Sequence, residues 1–221
     1  ALATLKLFQI LINRDVKKDI LKEVIRAEAH GELSSRQLRL VESVPRDIGV
    51  YYLFNKEGDL IYLGSSRNMQ ASVNAHFTGD SRPGLNLRKE TREVRYERTG
   101  SEFMALLKTH LELLANRPVH NKPIQTPGRP DQNHITVKGT EIPLEGRQLL
   151  LIDKGRQEGE RSAVWVQDKV VKGMGYYQLN HQINNIHILE NLLTPITETE
   201  GTLEVLLDFL DAKPILKVIE L

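Results

Sequence analysis

The stretch that decides the fold is GVYYLFNKEGDLIYLGSSRNMQASVNAHF, residues 49–77. Residues 50–54 and 60–63 are rich in β-branched and aromatic side chains, and residues 55–59 between them are turn formers. Two such runs joined by a short glycine-containing loop predict a β-hairpin. Gly58 supplies a positive φ if the turn requires one.

Apolar periodicity elsewhere predicts an α+β protein. Met69, Val73 and Phe77 recur every four residues and predict a short helix directly after the hairpin. The further predicted helices cover most of residues 1–30, a short stretch capped at 34–37, and residues 84–93, 101–115, 185–193 and 202–212. The further predicted strands cover 94–98, 148–153, 162–167 and 170–179, with a tight turn at Asp168-Lys169 between the last two.

Turn formers and charge divide the chain. TPGRPDQN, residues 126–133, separates a front part from a back part of different charge. Residues 49–125 carry eleven Lys and Arg against eight Asp and Glu, whereas residues 126–221 carry ten against fourteen. We therefore expect a helical extension over 1–44, a domain with a small mixed sheet over 45–125, a linker over 126–146 and a smaller α+β unit over 147–221.

Composition excludes several classes of protein. The 221 residues are 40% hydrophobic and 27% charged, as in ordinary globular domains, and the net charge of +1 does not by itself indicate a nucleic-acid binder. With no cysteine, the chain forms neither disulfides nor thiolate metal sites. No stretch approaches the roughly 20 apolar residues that cross a bilayer, so we expect a cytoplasmic protein with no membrane partner.

The hairpin also carries a resemblance to a known family. Gly49-Val50-Tyr51 and Tyr62-Leu63-Gly64 place two tyrosines eleven residues apart, and this pattern resembles the GIY-YIG nuclease superfamily. The resemblance covers roughly residues 45–125. Its further landmarks are Ser66, Asn68, Val73, His76 and Phe77, the turn Thr99-Gly100-Ser101-Glu102, Ala105-Leu106-Leu107, Arg117-Pro118 and Asn121.

The resemblance implies metal-dependent hydrolysis of a phosphodiester by water. Such chemistry needs a group that orients or deprotonates the water, a cation that stabilises the developing charge, and a divalent metal at the leaving oxygen. The resemblance assigns these tasks to the paired tyrosines, to an arginine on the helix after the hairpin and to a glutamate on the following long helix. The family positions that this chain retains are Tyr51, Tyr62, Gly64, His76 and Asn121.

The two charged positions of that mechanism are lost. The arginine position falls on Ser72, the glutamate position falls on Thr109, and the lysine that commonly follows the hairpin glycine is Ser65. Serine has no charge for the transition state, and threonine is a poor substitute for a carboxylate that binds Mg²⁺. We therefore expect this chain to be non-catalytic or strongly impaired in catalysis, and to hold no metal and no cofactor.

Loss of catalysis leaves nucleic-acid binding possible, because phosphate contacts are a separate contribution to affinity. We expect a DNA-binding module whose contacts to the nucleic acid come from Gly64, Arg67, Arg88, Lys89 and Arg92.

Two alternatives stay open from the sequence. In the first, Tyr51, Tyr62 and His76 are ordinary packing or surface residues, the interleaved charges of residues 88–98 form a solvated face, and the domain only contacts proteins. In the second, the protein is an active Mg²⁺-dependent endonuclease with a relocated carboxylate. Glu112 is the better candidate for that carboxylate, because Glu102 lies roughly 10 Å from Thr109 along the helix. Arg67 is the candidate replacement for the arginine.

A second resemblance concerns the ends of the chain. ALATLKLFQIL, residues 1–11, is similar to the end of a proofreading exonuclease domain, and residues 149–177 are similar to the C-terminal extension of DNA polymerase III epsilon-like proteins. The chain also lacks an initiator Met and begins in mid-helix, so we expect a fragment of a longer polypeptide. This resemblance implies a linked or associated 3′–5′ exonuclease, which makes the parent protein an exonuclease in DNA replication or repair.

Overall fold

The computed structural model describes residue 6 and residues 33–79, 82–123, 133–137, 139–178, 186–197 and 200–221. Nearly all of the helix predicted over the first 30 residues lies outside these ranges. The elements up to residue 123 form the N-terminal unit. In chain order they are α1 (Ser35–Glu42), β1 (Gly49–Phe54), β2 (Leu60–Ser66), α2 (Met69–Thr78), α3 (Arg82–Glu90), β3 (Glu93–Arg98) and α4 (Glu102–Asn116).

Local signals account for the hairpin and for the helix that follows it. β1 and β2 pair antiparallel, and Gly58 in their turn has a φ of 88°, so the predicted hairpin is confirmed. The Asn68 side chain caps α2 by accepting a hydrogen bond from the Ala71 amide. Met69, Val73 and Phe77 are fully buried, as their spacing predicts.

The sheet of the N-terminal unit has the order β2-β1-β3. Both of its pairings are antiparallel, so the prediction of a mixed sheet is wrong, whereas the α+β class is confirmed. Side chains alternate between the two faces of a strand. In β1, Tyr51 belongs to the core built on Met69 of α2, whereas Val50 packs with Ala105 of α4.

The described elements from residue 133 onward form the C-terminal unit. They are β4 (His134–Val137), β5 (Thr140–Pro143), β6 (Gln148–Lys154), β7 (Arg161–Gln167), β8 (Val170–Tyr177), α5 (Ile186–Leu192), β9 (Thr194–Pro195), α6 (Thr202–Ala212) and β10 (Lys217–Glu220). Five strands form an antiparallel sheet of order β10-β6-β7-β8-β9, and β4 pairs with β5. The tight turn at Asp168-Lys169 is confirmed, since both residues have a positive φ. The hairpin β4-β5 occupies part of the predicted linker, and the domain boundaries themselves stay a prediction.

Helix α4 joins the two units. Phe103 and Leu107 belong to a core shared with β6, β7 and α6, and the ring of Phe103 lies 5.3 Å from that of Phe209. The opposite side of α4 packs Ala105 against Val50 of β1. The sequence predicts one apolar face for this helix, made of Phe103, Leu106, Leu107, Leu111 and Leu114, but the structure buries the helix on two sides. None of the described helices is long and apolar enough to cross a membrane.

Candidate functional site

Two tyrosines and a histidine form a cluster on the α2 side of the first sheet. The Tyr51 hydroxyl lies 2.8 Å from Nε2 of His76. The ring centroids of Tyr51 and Tyr62 are 6.1 Å apart, and the His76 ring meets that of Tyr62 edge-on at 4.7 Å. The hairpin register causes this convergence, because Tyr51 pairs with Gly64 and Leu53 with Tyr62, which puts both tyrosines on one face.

Gly64 makes room for the cluster. A Cβ atom at this position would lie 2.8 Å from the Tyr51 hydroxyl and 3.1 Å from Cε1 of Tyr62. Both contacts are shorter than ordinary van der Waals separations, so a larger residue displaces the tyrosines. Gly64 is itself buried, which gives it a packing role rather than a surface from which to contact nucleic acid.

Burial keeps the cluster uncharged. Burial, and secondly the neighbouring Tyr62, raise the pKa of Tyr51 far above its ordinary value. Burial also raises the pKa of Tyr62 and lowers the pKa of His76. The hydrogen bond between the Tyr51 hydroxyl and Nε2 of His76 therefore joins two neutral groups. A protonated phenol does not act as a base toward water at neutral pH.

Asn121 lies at the edge of β2 and not in the cluster. Its Oδ1 accepts a hydrogen bond from the Leu63 amide at 3.0 Å, and its Nδ2 donates to the Leu63 carbonyl at 2.7 Å. Both ends of the side-chain amide therefore hold the backbone of β2. In this arrangement Asn121 positions the strand that carries Tyr62.

Ser72 belongs to a hydroxyl network at the start of α2. Its Oγ donates to Oγ of Ser66 at 2.7 Å, and Ser66 in turn donates to the Asn68 carbonyl at 3.0 Å. This network is neutral. The position at which the resemblance expects an arginine therefore supplies no charge to the cluster.

Thr109 supplies no metal ligand of the kind that the resemblance expects. Its Oγ1 is buried and has no hydrogen-bond partner among the described residues. Glu112 is engaged elsewhere, because it accepts from the Tyr52 hydroxyl at 3.0 Å and pairs with Nζ of Lys108 at 2.9 Å. Since Tyr51 and Tyr52 are neighbours in β1, Glu112 lies on the opposite face of the sheet from the cluster.

The remaining candidate carboxylate is also paired, since Glu102 lies between Arg67 and Lys213. No group of three or more acidic, histidine or cysteine residues in the described part of the chain is arranged to hold a metal ion. The donor set around the tyrosine pair therefore does not fit a Mg²⁺ ion.

The predicted nucleic-acid contacts are dispersed. Lys89 and Arg92 are exposed at the end of α3 and just after it, and Arg67 is exposed beyond the end of β2. Arg88 is only 6% exposed, because Gln37 of α1 covers this turn of α3 and donates to the Arg88 carbonyl at 3.1 Å. Its side chain therefore does not share a surface with Lys89.

Sequence reasoning missed two sets of residues. Lys108 bridges Glu112 and Glu97, and the i, i+4 spacing of Lys108 and Glu112 is a signal that predicts part of this network. Lys213 reaches Glu102 from the other unit across 111 residues of sequence, and no local pattern predicts that contact.

Comparisons with known proteins find relatives that match part of the chain. No protein-family model matches the chain. A segment of 121 residues is 26% identical to UvrABC system protein C of Dictyoglomus thermophilum, and it covers 55% of this chain and 19% of that protein. A segment of 84 residues is 30% identical to UvrABC system protein C of Bacteroides fragilis, with 37% of this chain and 14% of that protein covered. The matches thus span less than a fifth of these curated relatives.

Among solved structures, the chain is similar to the GIY-YIG N-terminal endonuclease domain of UvrC from Thermotoga maritima bound to magnesium. The identity is 19%, the TM-score is 0.38, and the match covers 41% of this chain and all of that domain. The resemblance to DNA polymerase III epsilon proteins gains no support from these relatives and stays a prediction. Over these segments the chain is similar to part of UvrABC system protein C.

Proposed function

We propose that this chain is a catalytically impaired nucleic-acid-binding module of the GIY-YIG type that acts in DNA repair. One observation carries the proposal. Tyr51, Tyr62 and His76 stay together in one cluster, whereas Ser72 and Thr109 occupy the positions of the expected arginine and glutamate.

The lost charges support impaired catalysis. Removal of a single donor to the transition state costs roughly 10²–10³ in rate. Here the cation is replaced by Ser72, and the carboxylate is replaced by Thr109 with its buried, unpaired hydroxyl. Glu112 does not compensate, because Lys108 and Tyr52 hold it on the other face of the sheet.

Exposed cations support retained binding. Arg67, Lys89 and Arg92 are solvent-exposed on the N-terminal unit. Phosphate contacts from such side chains contribute to affinity independently of any hydrolysis, and each contact makes binding weaker at higher salt. The binding that we propose requires no metal or other cofactor.

A cleavage assay tests the catalytic part. Labelled single-stranded, duplex and branched DNA is incubated with the protein in Mg²⁺ or Mn²⁺, beside a matched Tyr62→Phe variant. We expect no product beyond that of the variant. Metal-dependent nicking that disappears in Tyr62→Phe would overturn the proposal and favour an active endonuclease.

The finer proposal is that the module serves a 3′–5′ exonuclease of the DNA polymerase III epsilon type, in replication or repair. It rests on the resemblance of residues 1–11 and 149–177 alone. The reading frame that encodes this chain tests it. An exonuclease domain encoded in frame upstream supports the link, and an unrelated sequence there contradicts it.

A second candidate is a purely structural or protein-interaction domain without DNA affinity. The burial of α4 on two sides favours it, because this helix holds the two units together through Phe103 and Ala105. DNA binding that weakens steeply with salt contradicts this candidate, since the slope counts phosphate contacts.

A further inference from the structure

A cleft of about 140 Å³ lies where the two units meet. Its walls come from the end of β2, the start of α4 and the end of α6. The polar side chains that line it are Ser65, Ser66, Arg67, Glu102 and Lys213. The floor is apolar and includes Phe209.

The charges of this cleft are unequal. The Glu102 carboxylate pairs with the guanidinium of Arg67 on one side and with the ammonium of Lys213 on the other. Two cations against one carboxylate leave a net charge of +1. The side chain of Arg67 is 68% exposed, that of Glu102 is 27% exposed and that of Lys213 is 41% exposed. Solvent and ligands therefore reach all three.

The carboxylate stays ionised and the lysine is held in place. Burial acts to raise the pKa of Glu102, but hydrogen bonds from Lys213 and Arg67 outweigh it and keep that pKa below its usual range. Nζ of Lys213 also lies 5.6 Å from the centre of the Phe209 ring, which anchors it at the end of α6.

The cleft adjoins the end of β2, the strand that carries Tyr62, but it lies on the α4 face of the sheet, opposite the tyrosine–histidine cluster. Side chains alternate along a strand, so Ser65 points away from the face on which Gly64 makes room for the tyrosines. Ser66 accepts the hydrogen bond from Ser72 at 2.7 Å. Ser65 and Ser72 are positions that lack the cations of the family pattern, and Arg67 and Lys213 bring two cations to the same region.

We propose that this cleft binds a phosphate group of a nucleic-acid backbone, with Arg67 and Lys213 as the cationic donors. Glu102 pairs with the two cations when nucleic acid is absent. When a phosphate enters, the cations bind the phosphate instead of Glu102. The C-terminal unit thereby supplies part of the nucleic-acid site. This inference rests on the proposed function and names the residues through which it operates.

The simplest contrary role for the same residues is a tether that holds the two units together. The two roles predict different effects of Glu102→Gln on DNA affinity. Removal of the carboxylate frees both cations, so a phosphate site predicts a severalfold rise in DNA affinity and a steeper dependence on salt. A tether predicts lower thermal stability with no gain in affinity. Unchanged or weaker DNA binding by a folded Glu102→Gln variant overturns the inference.

Lys213→Gln provides the complementary measurement, with Lys217→Gln as a control of equal charge change on the same unit. For duplex DNA, loss of one phosphate contact lowers the slope of log affinity against log salt by about 0.9. We expect this decrease in Lys213→Gln and no decrease in Lys217→Gln. Equal slopes in the two variants contradict the assignment.

Titration with inorganic phosphate, followed by amide NMR shifts, keeps the inference separate from the proposed function. We expect shifts at residues 65–67 and 213 in the wild type and their loss in Lys213→Gln. Shifts without any DNA binding would retain the cleft as an anion site and refute the proposed function. DNA binding without these shifts, and with an unchanged salt slope in Lys213→Gln, would refute the phosphate site in the cleft but not the proposed function. No response to phosphate and no binding of DNA would refute both proposals.

Discussion

Gly64→Ala is the substitution that most directly probes the geometry of the tyrosine–histidine cluster. The new methyl group would lie 2.8 Å from the Tyr51 hydroxyl and 3.0 Å from Cζ of the same ring. The hydroxyl therefore has to move, and its hydrogen bond to His76 at 2.8 Å is lost or stretched. Neither the hairpin turn nor the strand register requires a glycine here. The loss of stability in Gly64→Ala therefore measures the contacts within the cluster.

The magnitude follows from two contributions. Overpacking of a filled site costs about 1–3 kcal/mol. Loss of the Tyr51–His76 hydrogen bond costs about 1 kcal/mol. We expect Gly64→Ala to lower the free energy of unfolding by about 2–4 kcal/mol and Tyr51→Phe to lower it by about 1 kcal/mol.

A double-mutant cycle measured by urea unfolding tests the mechanism. In the Tyr51→Phe background the hydroxyl is absent, so Gly64→Ala loses its shortest contact and breaks no hydrogen bond. We expect the two costs to fall short of additivity by about 1 kcal/mol. Gly175→Ala, in the C-terminal unit, is the control and should combine additively with Tyr51→Phe. Full additivity for Gly64→Ala would refute the contact on which the cluster is built.

Three further predictions concern neighbouring residues. Thr109→Val removes a buried hydroxyl that has no partner among the described residues, so we expect thermal unfolding to show a gain of about 1 kcal/mol rather than a loss. Burial lowers the pKa of His76 below its ordinary value of 6.5, so the unfolded chain takes up a proton that the folded chain rejects. Stability is therefore complete above about pH 6.5 and falls as the pH drops toward the folded pKa, and urea unfolding of His76→Gln should lack this part of the decline. Asn121→Ala leaves the Leu63 amide and carbonyl without their partner, so urea unfolding should show a loss of about 1–3 kcal/mol, whereas the exposed Asn116→Ala should cost much less.

Much of the fold was predictable because its signals are local. The hairpin β1-β2 has aromatic and β-branched runs around a glycine turn, and α2 has its apolar residues four apart. The turn at Asp168-Lys169 is equally local. The hairpin β4-β5 was not predicted, because its short strands lie next to turn formers and are stabilised by packing against α6 and the core of the C-terminal unit.

The burial of α4 on two sides could not be predicted from the spacing of its apolar residues. Ala105 and His110 are buried there, although neither belongs to the apolar stripe of the sequence. The Nε2 of His110 lies 2.9 Å from the Glu200 carbonyl of the C-terminal unit. Such a contact depends on how the two units meet, and that geometry is not encoded within one helix.

In the candidate site, too, local contacts follow from the sequence and long-range contacts do not. The structure places Tyr51, Tyr62 and His76 together, because the register of one hairpin and the helix that follows it decide their positions. Their function stays a prediction. The partners of Glu102 and Glu112 were not predictable, since burial and long-range pairing with Lys213 and Tyr52 determine them.

The most direct test of the central claim is one experiment that measures binding and cleavage in the same sample. Fluorescence anisotropy follows the binding of labelled single-stranded, duplex and branched DNA at about 50 mM and 200 mM salt with Mg²⁺ present, and the recovered DNA is run on a denaturing gel. With two phosphate contacts, the affinity for duplex DNA should fall about tenfold between these salt concentrations, and the DNA should remain intact. Cleaved DNA would contradict the loss of catalysis, and absence of binding to all three DNAs at low salt would contradict the nucleic-acid module itself.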